Sequence, residues 1–463
     1  MACRRVFLTI CALALALTGA ACTADVADPT PSASPAPTST SPDKTRKITF
    51  GAFGTDEEIE AWRSVVDAFN ATSTTRKVAL TTWPDHDAAL ADIVGGNAPD
   101  VFLTSRIDLG QLVEAEALRP VSLLLDERGV DFGDRFSREA VDAFAYEDEL
   151  QCMAYSASPM VVYYNDELVD FEKMERRGLD VPNINATSGL RERWTFEEFA
   201  AAARFASRRG GVRGVWIDPT LEGLAPFILS GGGEVFDDDV DPSSLAFSDE
   251  STREALVPTL EVLRDPVLTP TQAQLARHTP LNLFKRGRLA MIAGYRDLVP
   301  ELRAAPGLSF DVISMPVLDG AATVGDVNGL CISSQSESVG DAADFIAYAV
   351  SDAAVDTVTR TGHIVPTNTQ VAASDTFLDD TREPENAVVF SSSIRNMEVP
   401  PFIDDRTALL NAVGPLLQRL VTAPGVLDLE LTTEEIDSAS RTVLAPEEEE
   451  GAEESEPSEE ATE

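Results

Sequence analysis

The chain has 463 residues, with 36 Lys and Arg against 78 Asp and Glu, for a formal net charge of −42. At 44% hydrophobic and 25% charged residues, its bulk has a globular rather than a disordered composition, and the length suits two or three domains. So acidic a chain lacks the Lys/Arg patches that nucleic acid or an anionic lipid surface requires, which excludes a nucleic-acid binder. Beyond residue 18 no apolar run approaches the roughly 20 residues that span a bilayer, which excludes a polytopic membrane protein.

Arg4 and Arg5 precede an apolar run from Val6 to Leu17, then Thr18-Gly19-Ala20-Ala21-Cys22. A basic start, a short apolar core and small residues make an export signal over residues 1–21. Leu-Thr-Gly-Ala-Ala-Cys resembles a bacterial lipoprotein processing site, which implies lipidation of Cys22 and anchoring on the extracytoplasmic face of the cell membrane. Gly19-Ala20-Ala21 would also suit ordinary signal cleavage. Residues 22–43 are rich in Pro, Ser and Thr without apolar periodicity, as an extended tether is. At the other end, residues 446–463 carry ten Glu and no basic residue, and are expected to be a disordered acidic tail.

Residues 44–445 alternate strand-like and helix-like stretches. Lys47 to Phe53 reads as a strand, and Glu57 to Asn70 places Ile59, Trp62, Val65, Val66 and Phe69 on one helical stripe. Lys77 to Trp83 alternates as a strand, His86 to Val94 is a short helix stopped by Gly95-Gly96, and Asp100 to Leu103 is a third strand. Strand, helix, strand, helix, strand signals a parallel sheet covered by helices. A second α/β region begins with the apolar strand Met160 to Tyr164. Thr195 and Glu198 form a capping box opening a helix that runs to about Arg208. Arg213 to Ile217 reads as a strand and Leu221 to Leu229 as an apolar helix, and from about residue 376 the pattern is mostly helical.

Catalytic signatures are missing from the sequence: there is no G-x-S-x-G, H-E-x-x-H, Walker or G-x-G-x-x-G motif. The three His residues, His86, His278 and His363, stand far apart. Asp237, Asp239 and Asp241 mimic the start of a calcium loop. Pro242 and Ser248, however, replace the Gly and the Glu such a loop needs, so a solvated turn is expected. Gly231-Gly232-Gly233 lacks a basic flank and reads as a plain turn rather than a phosphate cradle. With the signal removed and Cys22 lipidated, Cys152 and Cys331 remain. Two thiols in an exported chain favour one disulfide over a metal site, and the sequence leaves the pairing open. Neither a metal nor a cofactor is expected.

Several stretches, in order over residues 47–370, resemble the family 1 extracellular solute-binding proteins, the maltose-binding-protein-like receptors of ABC importers. They are Val66-Asp67-Ala68-Phe69-Asn70, Asn97-Ala98-Pro99-Asp100-Val101, Met160-Val161-Val162-Tyr163-Tyr164-Asn165, Trp194-Thr195-Phe196-Glu197-Glu198-Phe199, and Phe284-Lys285-Arg286-Gly287 with Ala290-Met291 and Gly294. Ala342-Ala343-Asp344-Phe345-Ile346 and Thr361-Gly362 with Pro366 follow. The resemblance implies an α/β, two-lobed, type II periplasmic-binding-protein fold with a hinge of crossing strands and a ligand cleft between the lobes. By analogy the first lobe takes residues 44–153 and 328–375, and the second residues 154–327 and 376–445. Cys152 and Cys331 would then lie side by side on hinge strands, which implies a Cys152–Cys331 disulfide.

The same resemblance implies a monomeric receptor, not an enzyme, that captures a small-molecule ligand and delivers it to the permease subunits of an ABC transporter. A carbohydrate is the leading ligand. A polyol, glycerophosphodiester or anion receptor shares the fold, and an exported glycan hydrolase is the alternative of a different class, since abundant carboxylates leave a glycosidase pair open. Sugar recognition calls for aromatic platforms and groups that pair two hydroxyls, placed where strands give way to loops. The candidates are Trp83, Asp85, Arg106 and Asp108 after the early strands, and Tyr155 and Ser158 at the crossover. Trp216 and Glu222 follow the Arg213 strand, Tyr295 and Arg296 follow Ala-Met-Ile-Ala-Gly, and Asp326 and Asn328 precede the second hinge strand. Trp62 and Trp194 are expected in the core.

Overall fold

The computed structural model describes residues 46–72 and 75–446. Cys22, the export signal, the tether and the Glu-rich tail from Glu447 onward therefore lie outside the described residues. Among those described, no helix is long and apolar enough to cross a membrane. Nor is any group of three or more His, Cys, Asp or Glu among them arranged to hold a metal ion.

The alternating opening of the chain becomes strand Arg46–Ala52, helix Asp56–Thr72, strand Arg76–Thr82, helix His86–Asp92 and strand Val101–Ser105. The first strand pairs in parallel with the other two, as consecutive strands joined through covering helices must. Every residue of Val101–Ser105 is buried, as expected of a strand covered on both faces. Trp62, Val65, Val66 and Phe69 form the buried stripe of the first helix, and the Trp62 ring lies 5.0 Å from Phe50 and 4.7 Å from Tyr155. Each such ring contributes about 1.5–3 kcal/mol through burial alone, so this stripe, rather than helix propensity, holds the helix in place.

These strands belong to an eight-stranded sheet ordered Val365–Pro366, Cys152–Pro159, Thr323–Ser333, Val101–Ser105, Arg46–Ala52, Arg76–Thr82, with Met397–Glu398 and Leu118–Arg119 also paired to Thr323–Ser333. A second, four-stranded sheet is ordered Phe310–Ile313, Val161–Asn165, Leu289–Gly294, Arg213–Trp216. Only Met160 separates Cys152–Pro159 from Val161–Asn165, so the chain crosses from one sheet to the other there. Thr323–Ser333 runs antiparallel beside this crossing, with Gly325 opposite Pro159 and Cys331 opposite Cys152, and its register shifts between Asn328 and Gly329. A disulfide joins Cys152 to Cys331, whose Cα atoms are 4.4 Å apart.

Around the second sheet, helix Phe196–Ser207 opens on the Thr195/Glu198 capping box. Trp194 is buried against Phe171 and Phe199 and donates its Nε1–H to the Ser314 carbonyl at 2.9 Å. The glycine triplet ends helix Leu221–Ser230, and a Cβ at Gly233 would lie 2.7 Å from Thr252 Cα, so the triplet serves a close helix approach. In the aspartate-rich turn, Asp237 and Asp238 accept the amides of Ser243, Ser244, Val240 and Asp241, and so satisfy their own loop. The C-terminal helices Arg406–Thr422 and Leu429–Leu444 pack on the same core. There buried Asp437 accepts the amides of Phe247 and Ser248 at 2.8 and 2.7 Å.

Candidate functional site

Parallel strands expose their carboxyl ends along one sheet edge, and a ligand in an open α/β sheet binds outside those ends. The first three strands end at Ala52, Thr82 and Ser105, and the loops that follow bring Phe53, Pro84, Asp85, His86 and Ile107 to one cleft of about 910 Å³. The two crossing strands floor it with Ser156, Ser158, Asp326 and Asn328. From the second-sheet side come Leu221, Glu222 and Ala225 on the first turns of one helix, Phe236 from the loop beyond it, and Tyr295 after the Leu289–Gly294 strand. The extended segment Glu398–Pro401, with Ile403 and Arg406, closes a further wall.

Apolar surface is provided by Phe53, Phe236, Tyr295, Pro84, Pro400 and Pro401. The polar lining is unequal. Carboxylates come from Glu58, Asp85 and Asp326 on one side and from Glu222, Glu234, Asp239, Asp297 and Glu398 on the other, against one guanidinium, Arg406. Arg406 is taken up by Glu222 in an ion pair. At the floor Asp326 accepts the Ser105 hydroxyl at 2.6 Å through Oδ2, while its Oδ1 is shielded and has no partner. Burial pushes the Asp326 carboxyl above the ordinary carboxylate range, with Asp108 adding to the effect and the Ser105 hydrogen bond opposing it. Beside it, His86 Nδ1 lies 3.2 Å from Asp108 Oδ2, and that hydrogen bond raises the imidazole above its usual value against the opposing effect of burial.

Of the residues expected from sequence, Asp85, Ser158, Glu222, Tyr295, Asp326 and Asn328 line this cleft together. The others do not, each for a packing reason. The Trp83 indole lies over the first strand, where a Cβ on Gly51 would sit 2.2 Å from the ring, and its Nε1–H donates to Asp92 at 3.0 Å. Tyr155 is buried against Trp62, and Trp216 is core, its Nε1–H bonded to Asp218 at 2.6 Å. Asp108 is buried and meets the cleft only through His86. Arg106 stacks over Phe402 at 3.8 Å, and burial lowers its guanidinium to about 10. Arg296 is buried between Phe377 and Phe390, at 4.7 and 5.0 Å, and donates Nε–H to the Gly362 carbonyl at 3.2 Å.

Sequence reasoning missed Phe53, Phe236, His86 and the Glu398–Arg406 wall. Phe53 stands at the same strand exit as the chosen residues and was open to discovery by the same rule. The Pro400-Pro401 segment carries no local signal, because long-range packing brings it to the cleft.

The sequence profile of the bacterial extracellular solute-binding proteins matches residues 64–384. The chain belongs to this family. Its fold is that of an ABC substrate-binding protein from Listeria monocytogenes in complex with cycloalternan, with a TM-score of 0.69 at 22% identity over 86% of this chain and 99% of that one. The sugar-binding protein MalE of Xanthomonas citri aligns with a TM-score of 0.72 at 16% identity, over 86% of this chain and 98% of that one. The GacH receptor of Streptomyces glaucescens aligns at 0.66 and 18% identity, over 86% and 98%. The family and these neighbours are binding proteins rather than enzymes, and the fold is the two-lobed type II periplasmic-binding-protein fold, like that of maltose-binding protein.

Proposed function

We propose that this solute-binding protein is the lipid-anchored receptor of an ABC importer, held on the extracytoplasmic face through Cys22, which captures a sugar or oligosaccharide and hands it to a membrane permease. The observation that carries the reading is a single cleft lined from both sheets and floored by two crossing strands. A solute bound to one wall gains contacts when the other approaches, and its differential affinity shifts the open–closed balance toward closed. Hydroxyl-rich ligands fit the combination of Tyr295, Phe236 and Phe53 faces with Asn328, Ser158 and carboxylate acceptors. In this reading the lobes comprise residues 44–153 with 328–375 and residues 154–327 with 376–445, and the chain acts as a monomer. The L. monocytogenes neighbour is in complex with cycloalternan and the X. citri neighbour is a sugar-binding protein, which supports the ligand class.

Thermal shift across mono- and oligosaccharides, paired with solution scattering, tests the reading. The expected result is a stoichiometric shift with a smaller radius of gyration and release of chemically unchanged ligand. Turnover of the ligand, or a scattering profile that no solute contracts, overturns it. Mass analysis of the N-terminal peptide from native membranes tests the anchor, with an unmodified Cys22 as the contrary result.

A further inference from the structure

The Glu398–Arg406 wall of the cleft is held from both sides. Its consecutive side chains Phe402 and Ile403 turn opposite ways, as neighbours along an extended chain do. Ile403 packs on the second-sheet core, and Arg406, the first residue of helix Arg406–Thr422, is paired with Glu222. Phe402 turns instead toward the first sheet. Its ring centroid lies 3.8 Å from the guanidinium of Arg106, which follows the Val101–Ser105 strand, and 6.1 Å from the Tyr146 ring. A Cβ on Gly110 would come within 3.1 Å of the Phe402 ring, so the missing side chain there makes room for the seat. The Gln111 side-chain amide donates to the Asp404 carbonyl at 3.2 Å and fixes the same stretch.

The seat depends on the ring. Arg106 donates Nε–H to the Ala143 carbonyl, but its Nη1 is buried without a hydrogen-bond partner. A guanidinium stripped of water and short of an acceptor gains most from an aromatic face. Pro400 and Pro401 precede the ring with their φ angles fixed, so this strap passes a displacement on rather than absorbing it. Phe402 is not among the lining residues of the cleft, whereas Pro400, Pro401 and Ile403 beside it are. We propose that Phe402 is a positioning residue for solute capture, a clasp that ties the Glu398–Arg406 wall to Arg106 and limits how far the cleft opens. A strap fixed to both halves restrains their separation and leaves their approach free, so unseating the ring shifts the balance toward open. The inference rests on the two-sided cleft and not on the nature of the solute, so it can be tested without one.

Small-angle scattering of the solute-free protein provides the test, comparing the wild type with Phe402→Ala, Phe402→Leu, Phe402→Tyr and Gly110→Val. Circular dichroism and a denaturant melt check the fold of each variant. Phe402→Ala and Phe402→Leu should both raise the radius of gyration, with the open-to-closed ratio growing roughly fivefold on loss of a desolvated cation–π contact. Phe402→Tyr keeps the ring and should return the wild-type radius, which a general loosening of the fold would not do. Gly110→Val crowds the seat with Phe402 still present and should also open the cleft; it carries the test if truncating the ring prevents folding. Unchanged radii in folded Phe402→Ala and Gly110→Val, or a wild-type radius in Phe402→Leu, overturn the inference. A failed sugar screen bears on the receptor reading alone.

Discussion

The crossing strands and the cleft rim place their charges and rings in opposite ways. Along Cys152–Pro159 and Thr323–Ser333 most side chains are buried, the strands pair along their length with one register shift, and a disulfide staples them. At the rim, Glu234, Asp239 and Glu398 stand exposed without an ion pair or side-chain hydrogen bond, on loops and element ends. Aromatic residues divide less cleanly: Trp62, Tyr155 and Trp216 serve the interior, Phe53 and Tyr295 face the cavity, and Phe236 is a buried core residue that also lines it. Apart from the floor residues Ser156, Ser158, Asp326 and Asn328, which sit on the crossing strands themselves, stability and binding draw on separate residue sets, so most positions should move one without the other.

The largest break in that separation would come from the staple. A Cys152→Ala/Cys331→Ala variant should lose about 2–5 kcal/mol of stability. Its solute affinity should stay within about twofold, as read by denaturant melts beside calorimetry. Next in size is Asp311, on the second sheet, where burial pushes the carboxyl up to about 7 despite amide hydrogen bonds from Asn386 and Val312. An acid that holds its proton more tightly when folded supports the fold fully below the unfolded value, and this support fades as pH rises through about 7. Stability should therefore fall between about pH 4 and 8, and Asp311→Asn should flatten the decline, gaining roughly 2 kcal/mol at pH 8.

Asp326 should show the reverse pattern to the staple. Asp326→Asn removes a desolvated, half-satisfied carboxylate, so the ligand-free protein should gain about 1 kcal/mol while solute affinity drops about tenfold. A loss of stability with affinity intact would merge the two residue sets. The smallest effect belongs to His86. Asp108 raises its folded value, so the pair stabilises below the unfolded value near 6.5 and loses that contribution as pH climbs through the raised one. His86 is partly exposed, so His86→Ala should change the pH slope of stability by less than about 1 kcal/mol.

Much of this organisation was legible from sequence because it is local. The stripe Ile59, Trp62, Val65, Val66 and Phe69 and the capping box at Thr195 depend on spacing alone; both form, with Ile59 half-buried at the edge of the stripe. The family pattern added the crossing strands. Cleft residues were harder to read because a strand exit says where the chain turns and not which face a side chain takes. Neighbours along a strand point to opposite faces, and the choice between them comes from what packs on each. Trp83 turned toward Gly51 while Asp85, two residues on, reached the cleft. Tyr155 met Trp62 while Ser156 and Ser158 lined the floor. Arg296 follows a strand exit as the other candidates do, but Phe377 and Phe390, more than 80 residues away in sequence, enclose it.

The register irregularity at Asn328 and Gly329 lies between the Cys331 pairing and Asp326. On one side of it the two strands are covalently locked; on the other they carry the groups that meet the solute. If the halves of the molecule swing, the fulcrum is confined to the short stretch beyond the lock, and the lever arm is set by the chain itself rather than by the guest. Guests of different length would then change how far the jaws travel and leave the axis of rotation where it was.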